Sequence, residues 1–244
     1  MLVQFYPGSL RLITQNDHAL LSGKLADLYR VRLPFELSLA VSLHDIAWIE
    51  ADDDPLFCQE RGTPYSFTDY PLSDRIRLYQ EGIGKVSRIH PYAGYLISLH
   101  YQSFLEGETL AFVEEEEKRR ASLRERIPHF SEKQVNRDLQ TLKFFDSLSL
   151  WICLASPGVL PCTLPSWLKP ELLRDPFAGE RYRVEFLSEK ELVIEPYPFL
   201  LPKVELLIPY REVPYPLPSR EIFRECFLRA PLRWIPFLLL PGKR

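Results

Sequence analysis

The sequence predicts a mainly α-helical chain, with a β-hairpin at its amino terminus and a small β-rich, proline-rich addition at its carboxyl end, α+β overall. Three observations carry this expectation. Apolar residues recur at helical spacing through roughly the first 155 positions. Before them, Pro7, Gly8 and Ser9 separate two short apolar runs, the signature of a hairpin turn. After Pro157 the composition becomes proline-rich and alternates apolar with polar residues, as strands do. The expected division is a helical domain over 1–156 and an extension over 157–244 packed on its core.

Length and composition bound the alternatives. A chain of 244 residues with a hydrophobic fraction of 46% can bury a substantial core and is not disordered throughout. The net charge of -3 gives no general nucleic-acid footprint. Cys58, Cys153, Cys162 and Cys226 show no C-x-x-C spacing, so they suggest neither a zinc knuckle nor a disulfide scaffold. No leader opens the chain and no apolar run reaches membrane length, so a cytoplasmic protein without membrane contact is expected.

The elements follow in order. The hairpin pairs residues 2–6 with 10–14, and helices begin near Asp17, the first carrying His18. Pro34 opens a second helix expected to continue to Glu50, where Asp52, Asp53, Asp54 and Pro55 stop it. A long loop follows to about Ser73; such loops are often functional, and this one could cover a site through Arg61, Tyr65 or Phe67, the alternative being an ordinary surface connection. Helices are then expected over 73–89 and 91–106, with Gly107 as a stop. Between Glu114 and Arg120, acids precede bases by four residues, which reads as a solvated helix face. Ser131 and Gln134 form a capping box, and Phe130 with Val135 a hydrophobic staple, so the helix presenting Asp146 is sharply defined. Residues 182–187 and 192–195 bracket a turn, and 204–208 reads as a further strand. These should form a small sheet that the amino-terminal hairpin can join. A short helix is expected over 219–229, and 234–240 should pack back on the body or form a homo-oligomer interface.

The chemistry concentrates in a few polar residues on apolar stripes. His44 and Asp45 stand together in the apolar run 37–49, where unsatisfied polar groups would be costly to bury. His18 shares its stripe with Leu21, Leu25 and Tyr29; His100 follows Ala93 and Leu96; Asp146 continues Val135, Leu139 and Leu142. Several helices thus present metal-competent groups inward. Adjacent His and Asp diverge by about 100° on a helix, so His44 and Asp45 need ligands from other helices to enclose an ion.

The order His18, His44-Asp45, His100, Asp146 resembles the HD superfamily of metal-dependent phosphohydrolases, an all-helical fold, over roughly the first 155 residues. The pattern also looks like an uncharacterised bacterial branch in which the run at Gln15–His18 and His-Asp-x-x-Trp at His44–Trp48 recur; that branch lends no activity. The resemblance implies one metal on His18, His44, Asp45 and Asp146. Binuclear members add two histidines, for which His90 and His100 are the candidates. Here the chain departs from the pattern, because His90 precedes Pro91 and lies about 15 Å from His100 along one helix. His100 is therefore the better second-metal ligand.

Mixed imidazole and carboxylate ligands suit Mn, Fe, Co, Ni or Zn. The function the resemblance implies is a metal-dependent hydrolase of a phosphoester or nucleotide. Asp45 would ligate and orient the nucleophile, and Lys143 would meet phosphate, with Lys85, Arg88 and Arg137 as looser donors. The partner would be a small phosphorylated molecule or nucleotide. Two alternatives are a di-iron HD-type oxygenase and a non-enzymatic binding protein whose metal stabilises it.

Overall fold

Thr14 ends one kind of structure and starts another. Strands β1 (Leu2–Tyr6) and β2 (Ser9–Ile13) form the expected hairpin. Thr14 Oγ1 then accepts from Asp17 N at 2.9 Å and caps α1 (Gln15–Asp27). The computed structural model describes residues 1–105, 109–155, 159, 165, 167, 168 and 173–242.

The helical layer comprises α1, α2 (Phe35–Leu43), a 3-10 turn at Ile46–Trp48, α3 (Ile49–Asp53), α4 (Leu72–Ile89), α5 (Pro91–Gln102), α6 (Leu110–Arg124) and α7 (Glu132–Leu154). Helix α1 packs on α2 and α7, while α5 packs on α2, α4, α6 and α7. Of the expected capping box the Ser131 half forms, with Gln134 N donating to Ser131 Oγ at 3.4 Å, while the Gln134 side chain turns instead to Asp138 and Arg137. The expected continuous helix through the His-Asp pair does not form. His44 closes α2, and Asp45 leaves helical geometry at φ -112, ψ 20 before the 3-10 turn begins. The loop after α3 contains a two-stranded ribbon, β3 (Phe57–Cys58) with β4 (Thr63–Pro64). On α6, the face expected to be solvated carries a fully buried Glu116, which accepts from Ser98 Oγ at 2.8 Å and from Arg119 Nε at 3.0 Å. The expected end of the fifth helix at Glu106 and Gly107, and Cys162, lie outside the described residues.

The mainly α expectation, with its HD-like helical core, is corrected: the fold is α+β, built on a six-stranded mixed sheet. Its remaining strands are β5 (Arg183–Ser188), β6 (Glu191–Glu195), β7 (Val204–Pro214) and β8 (Arg233–Pro241), with α8 (Arg220–Arg229) between the last two. The order is β1-β2-β7-β8-β6-β5, antiparallel except for the β6–β8 pair. Strand β7 joins two halves in series. Its residues from Val204 to Tyr210 pair with β8, and those from Arg211 to Pro214 pair with β2. The sheet thus draws strands from both sides of the expected 156/157 boundary. The segment from Trp234 to Leu240 is an interior strand of it.

Two cores result. Leu2, Ile13, Leu206, Ile208 and Leu239 face the helices in the main one. Val3, Leu10, Leu12 and Val213 face α8, where Phe223 stacks on Phe57 at 5.4 Å. Because β1 alternates, Val3 serves the second core while Gln4 turns to the helices and donates to Cys153 O at 2.6 Å. Among the described residues, no helix is long and apolar enough to cross a membrane.

Candidate metal centre

Four elements bring five side chains together. His18 comes from α1, His44 and Asp45 from the break after α2, His100 from the last turn of α5, and Asp146 from α7. All five are buried, and Asp146 is only 7% exposed. Buried carboxylates at this depth are rare without a partner. Here the partners are one another.

The break at Asp45 is what lets consecutive residues point to one place. On a continuous helix they would diverge; the non-helical Asp45 swings its carboxylate back, and Oδ2 lies 3.7 Å from His44 Nε2 and 3.4 Å from His18 Nε2. His18 Nε2 and His44 Nε2 are 3.2 Å apart. Asp146 Oδ1 lies 3.1 Å from the first and 3.4 Å from the second. Metal bonds of about 2.0–2.1 Å place neighbouring donors about 3.0–3.4 Å apart, and these five separations fall in or near that range. The buried groups His18, His44 and Asp45, and His44, His100 and Asp146, can each hold a metal ion. Asp146 spans both, since its Oδ2 lies 3.4 Å from His100 Nε2.

The outer contacts fix the rings. His44 Nδ1 lies 2.8 Å from Val41 O, so that nitrogen carries the hydrogen and Nε2 turns its lone pair inward. His18 Nδ1 is 2.6 Å from Ser149 Oγ, which also donates to Asp146 O at 3.0 Å; this tautomer likewise leaves Nε2 facing the centre. Gln15 Nε2 donates to Asp45 Oδ2 at 3.1 Å. Burial alone would lower the pKa of His44, but the Asp45 and Asp146 carboxylates outweigh it and raise it to about 9. Burial also opposes ionisation of Asp146, yet hydrogen bonds from His18 and His44 hold its carboxyl well below the usual range. His100 is pushed down to about 3, by burial and by the His44 and Lys143 charges.

The cluster is open on one side. A cleft of about 480 Å³ is lined by His18, Asp45, His100 and Asp146, by Gln15, Arg75 and Lys143, and by the rings of Trp48, Phe67, Tyr79, Phe104 and Trp167.

Of the expected ligands, His18, His44, Asp45, His100 and Asp146 converge, and His90 does not. His90 precedes Pro91 at the start of α5, its ring edge-on to Phe35 at 6.4 Å. Lys143 reaches the cleft. Lys85 instead pairs with Glu50 at 2.9 Å, Arg137 donates to Gln134 on its own helix, and Arg88 is exposed in the last turn of α4. From the long loop between α3 and α4, Phe67 lines the cleft, whereas Arg61 pairs with Asp69 and sits over the Tyr65 ring at 5.2 Å. Sequence reasoning missed Gln15, Arg75, Tyr79 and Ser149. Arg75 and Tyr79, one turn apart on α4, share the spacing that could have flagged them.

The profile described as Protein of unknown function (DUF3891) matches residues 1–215. The chain belongs to this family. No curated protein and no solved structure matches it. Membership of DUF3891, together with the six-stranded sheet, overturns the resemblance to the HD superfamily. The His-Asp pair in the ordered pattern that carried the resemblance sits at a helix break in an α+β fold, and so few scattered residues are too little to specify a bundle.

Proposed function

We propose that the protein is a metal-dependent hydrolase of a phosphoester or nucleotide, with a divalent Mn, Fe, Co, Ni or Zn ion on His18, His44, Asp45 and Asp146, and His100 available to a second. The supporting observation is that this cluster opens onto a cleft that also contains Arg75 and Lys143. A closed coordination sphere would serve only structure, while an accessible one leaves room for a water and a ligand. Such an ion lowers the pKa of bound water and stabilises charge on a phosphoryl oxygen. The chain's own groups do the rest: Gln15 steadies Asp45, Asp45 orients the attacking water, and the two cations receive the phosphate.

The test is metal analysis of the purified protein, followed by phosphomonoesters, nucleotides and cyclic nucleotides with and without chelator. Turnover should require metal and should fall by at least about 10² in Asp45→Asn, which keeps the side-chain volume but loses the charge. Full activity of Asp45→Asn would refute the mechanism. Iron retention with oxygen consumption would replace hydrolysis by oxygen chemistry. A metal that raises the melting temperature without any turnover would make the site structural.

A further inference from the structure

Arg75 lies near the start of α4, half-buried in the cleft wall. Its Nε is buried and finds no hydrogen-bond acceptor among the described residues. No carboxylate among those residues lies within ion-pair distance of its guanidinium. The nearby acids are engaged elsewhere: Asp45 receives Gln15 and faces His18, and Asp146 faces His18, His44 and His100. One turn along, Tyr79 stacks on Tyr101 at 4.0 Å and meets Trp48 edge-on at 6.1 Å, which anchors the helix carrying Arg75. With no carboxylate paired to it, the guanidinium in the cleft wall is left to receive an arriving anion. The same cleft carries two rings about half exposed, Phe104 at 48% and Trp167 at 49%. Phe104 is fixed edge-on to His100 at 4.6 Å and Trp167 edge-on to Phe67 at 6.3 Å, leaving other ring surface open.

We propose that Arg75 is the specificity-determining anion contact of this cleft, and that its ligand is an aromatic phosphomonoester whose phosphate Arg75 grips while its ring packs on Phe104 and Trp167. This rests on reading the cleft as a phosphoester site. The planar fork of Arg75 matches two phosphate oxygens, which an ammonium cannot do. Flat rings pack on half-exposed aromatics with little loss of freedom.

The test titrates phenyl phosphate, methyl phosphate and benzoate into the full-length protein, both chelator-treated and manganese-loaded, by calorimetry. Arg75→Met should weaken phenyl phosphate about 10- to 100-fold, the range of a charge-assisted hydrogen bond. Arg75→Lys, which keeps charge and stem, should recover only part of the loss, with metal content unchanged in both variants. Methyl phosphate should bind about tenfold more weakly than phenyl phosphate. Parent-like binding by Arg75→Met, or no binding by the parent, overturns the proposal. So does benzoate binding as tightly as phenyl phosphate, or methyl phosphate binding equally well. A manganese-loaded parent that binds phenyl phosphate in an Arg75-dependent way yet turns over no phosphoester refutes the hydrolase reading and supports this one.

Discussion

At the scale of single residues, two imidazole nitrogens facing each other at 3.2 Å with their hydrogens on the far sides require a cation between them. The raised pKa of His44, about 9, supplies one as a proton; a metal ion supplies another, in competition with it. The ring orientation of His18 depends on Ser149, whose hydroxyl also meets Ser22 Oγ at 2.6 Å. Ser149→Ala should leave the fold intact and weaken metal binding about 10- to 100-fold, as expected when a ligand loses its orienting partner. Competition with a chelator measures this, and unchanged affinity would remove Ser149 from the site. The five converging residues were legible because each interrupts an apolar stripe with a group too polar to bury alone. Ser149 and Gln15 were not, since their importance lies in contacts made across α1, α7 and the break after α2, which no local pattern records.

Elements meet closely where glycine permits. A Cβ on Gly82 of α4 would lie 2.9 Å from Ala47 Cα, in the 3-10 turn directly beyond Asp45. Gly82→Ala should therefore push the turn away and cost about 1–3 kcal/mol, the usual range for overpacking, and it should displace Asp45 enough to weaken metal binding as well. Two positions on, a Cβ at Gly84 would make only ordinary contact, 3.5 Å from Arg119 Nη1. Gly84→Ala should be neutral or stabilise by about 0.5–1 kcal/mol, because Ala loses less backbone entropy in a helix. Urea denaturation of both variants separates the sites, and equal effects would refute the close-approach argument. Helix α7 was legible down to its cap because the Ser131 hydroxyl acts locally, on Gln134 N three residues on. The break at His44 and Asp45 was hidden, since residues 37–49 contain neither Gly nor Pro and read as one amphipathic run. The bend is imposed from outside, by the packing of the 3-10 turn on α1 and α4.

For the molecule as a whole, the sheet and the helices are one structure because distant segments lock together. The register of β2 against β7, which pairs Leu12 with Arg211, is non-local and leaves no trace in either strand's own sequence; this is why the sequence suggested a sheet the hairpin can join but not its six-stranded order. A second lock closes the end of α1. Arg30 N donates to Pro198 O at 2.8 Å and Leu200 N to Leu28 O at 2.9 Å. Beside it, Asp175, 2% exposed, accepts from Tyr182 Oη at 2.6 Å, from Tyr29 Oη, Phe177 N and Ala178 N at 2.8 Å, and pairs with Arg30. Burial opposes its ionisation, but the donors from Tyr182, Ala178, Phe177 and Tyr29 outweigh it and lower its pKa to about 2. A carboxyl whose folded pKa lies below its unfolded value of about 3.9 stabilises the fold at higher pH and loses that contribution as pH falls through the folded value. The contribution at neutral pH is about 2 kcal/mol. Asp175→Asn should therefore be less stable than the parent by at least about that amount at pH 7, and the gap should narrow between about pH 4 and pH 2 as the parent's own carboxyl protonates. Urea unfolding across that range reads the gap directly, and a gap that stays constant down to about pH 2 would show that the Asp175 charge does not hold the end of α1 to the sheet.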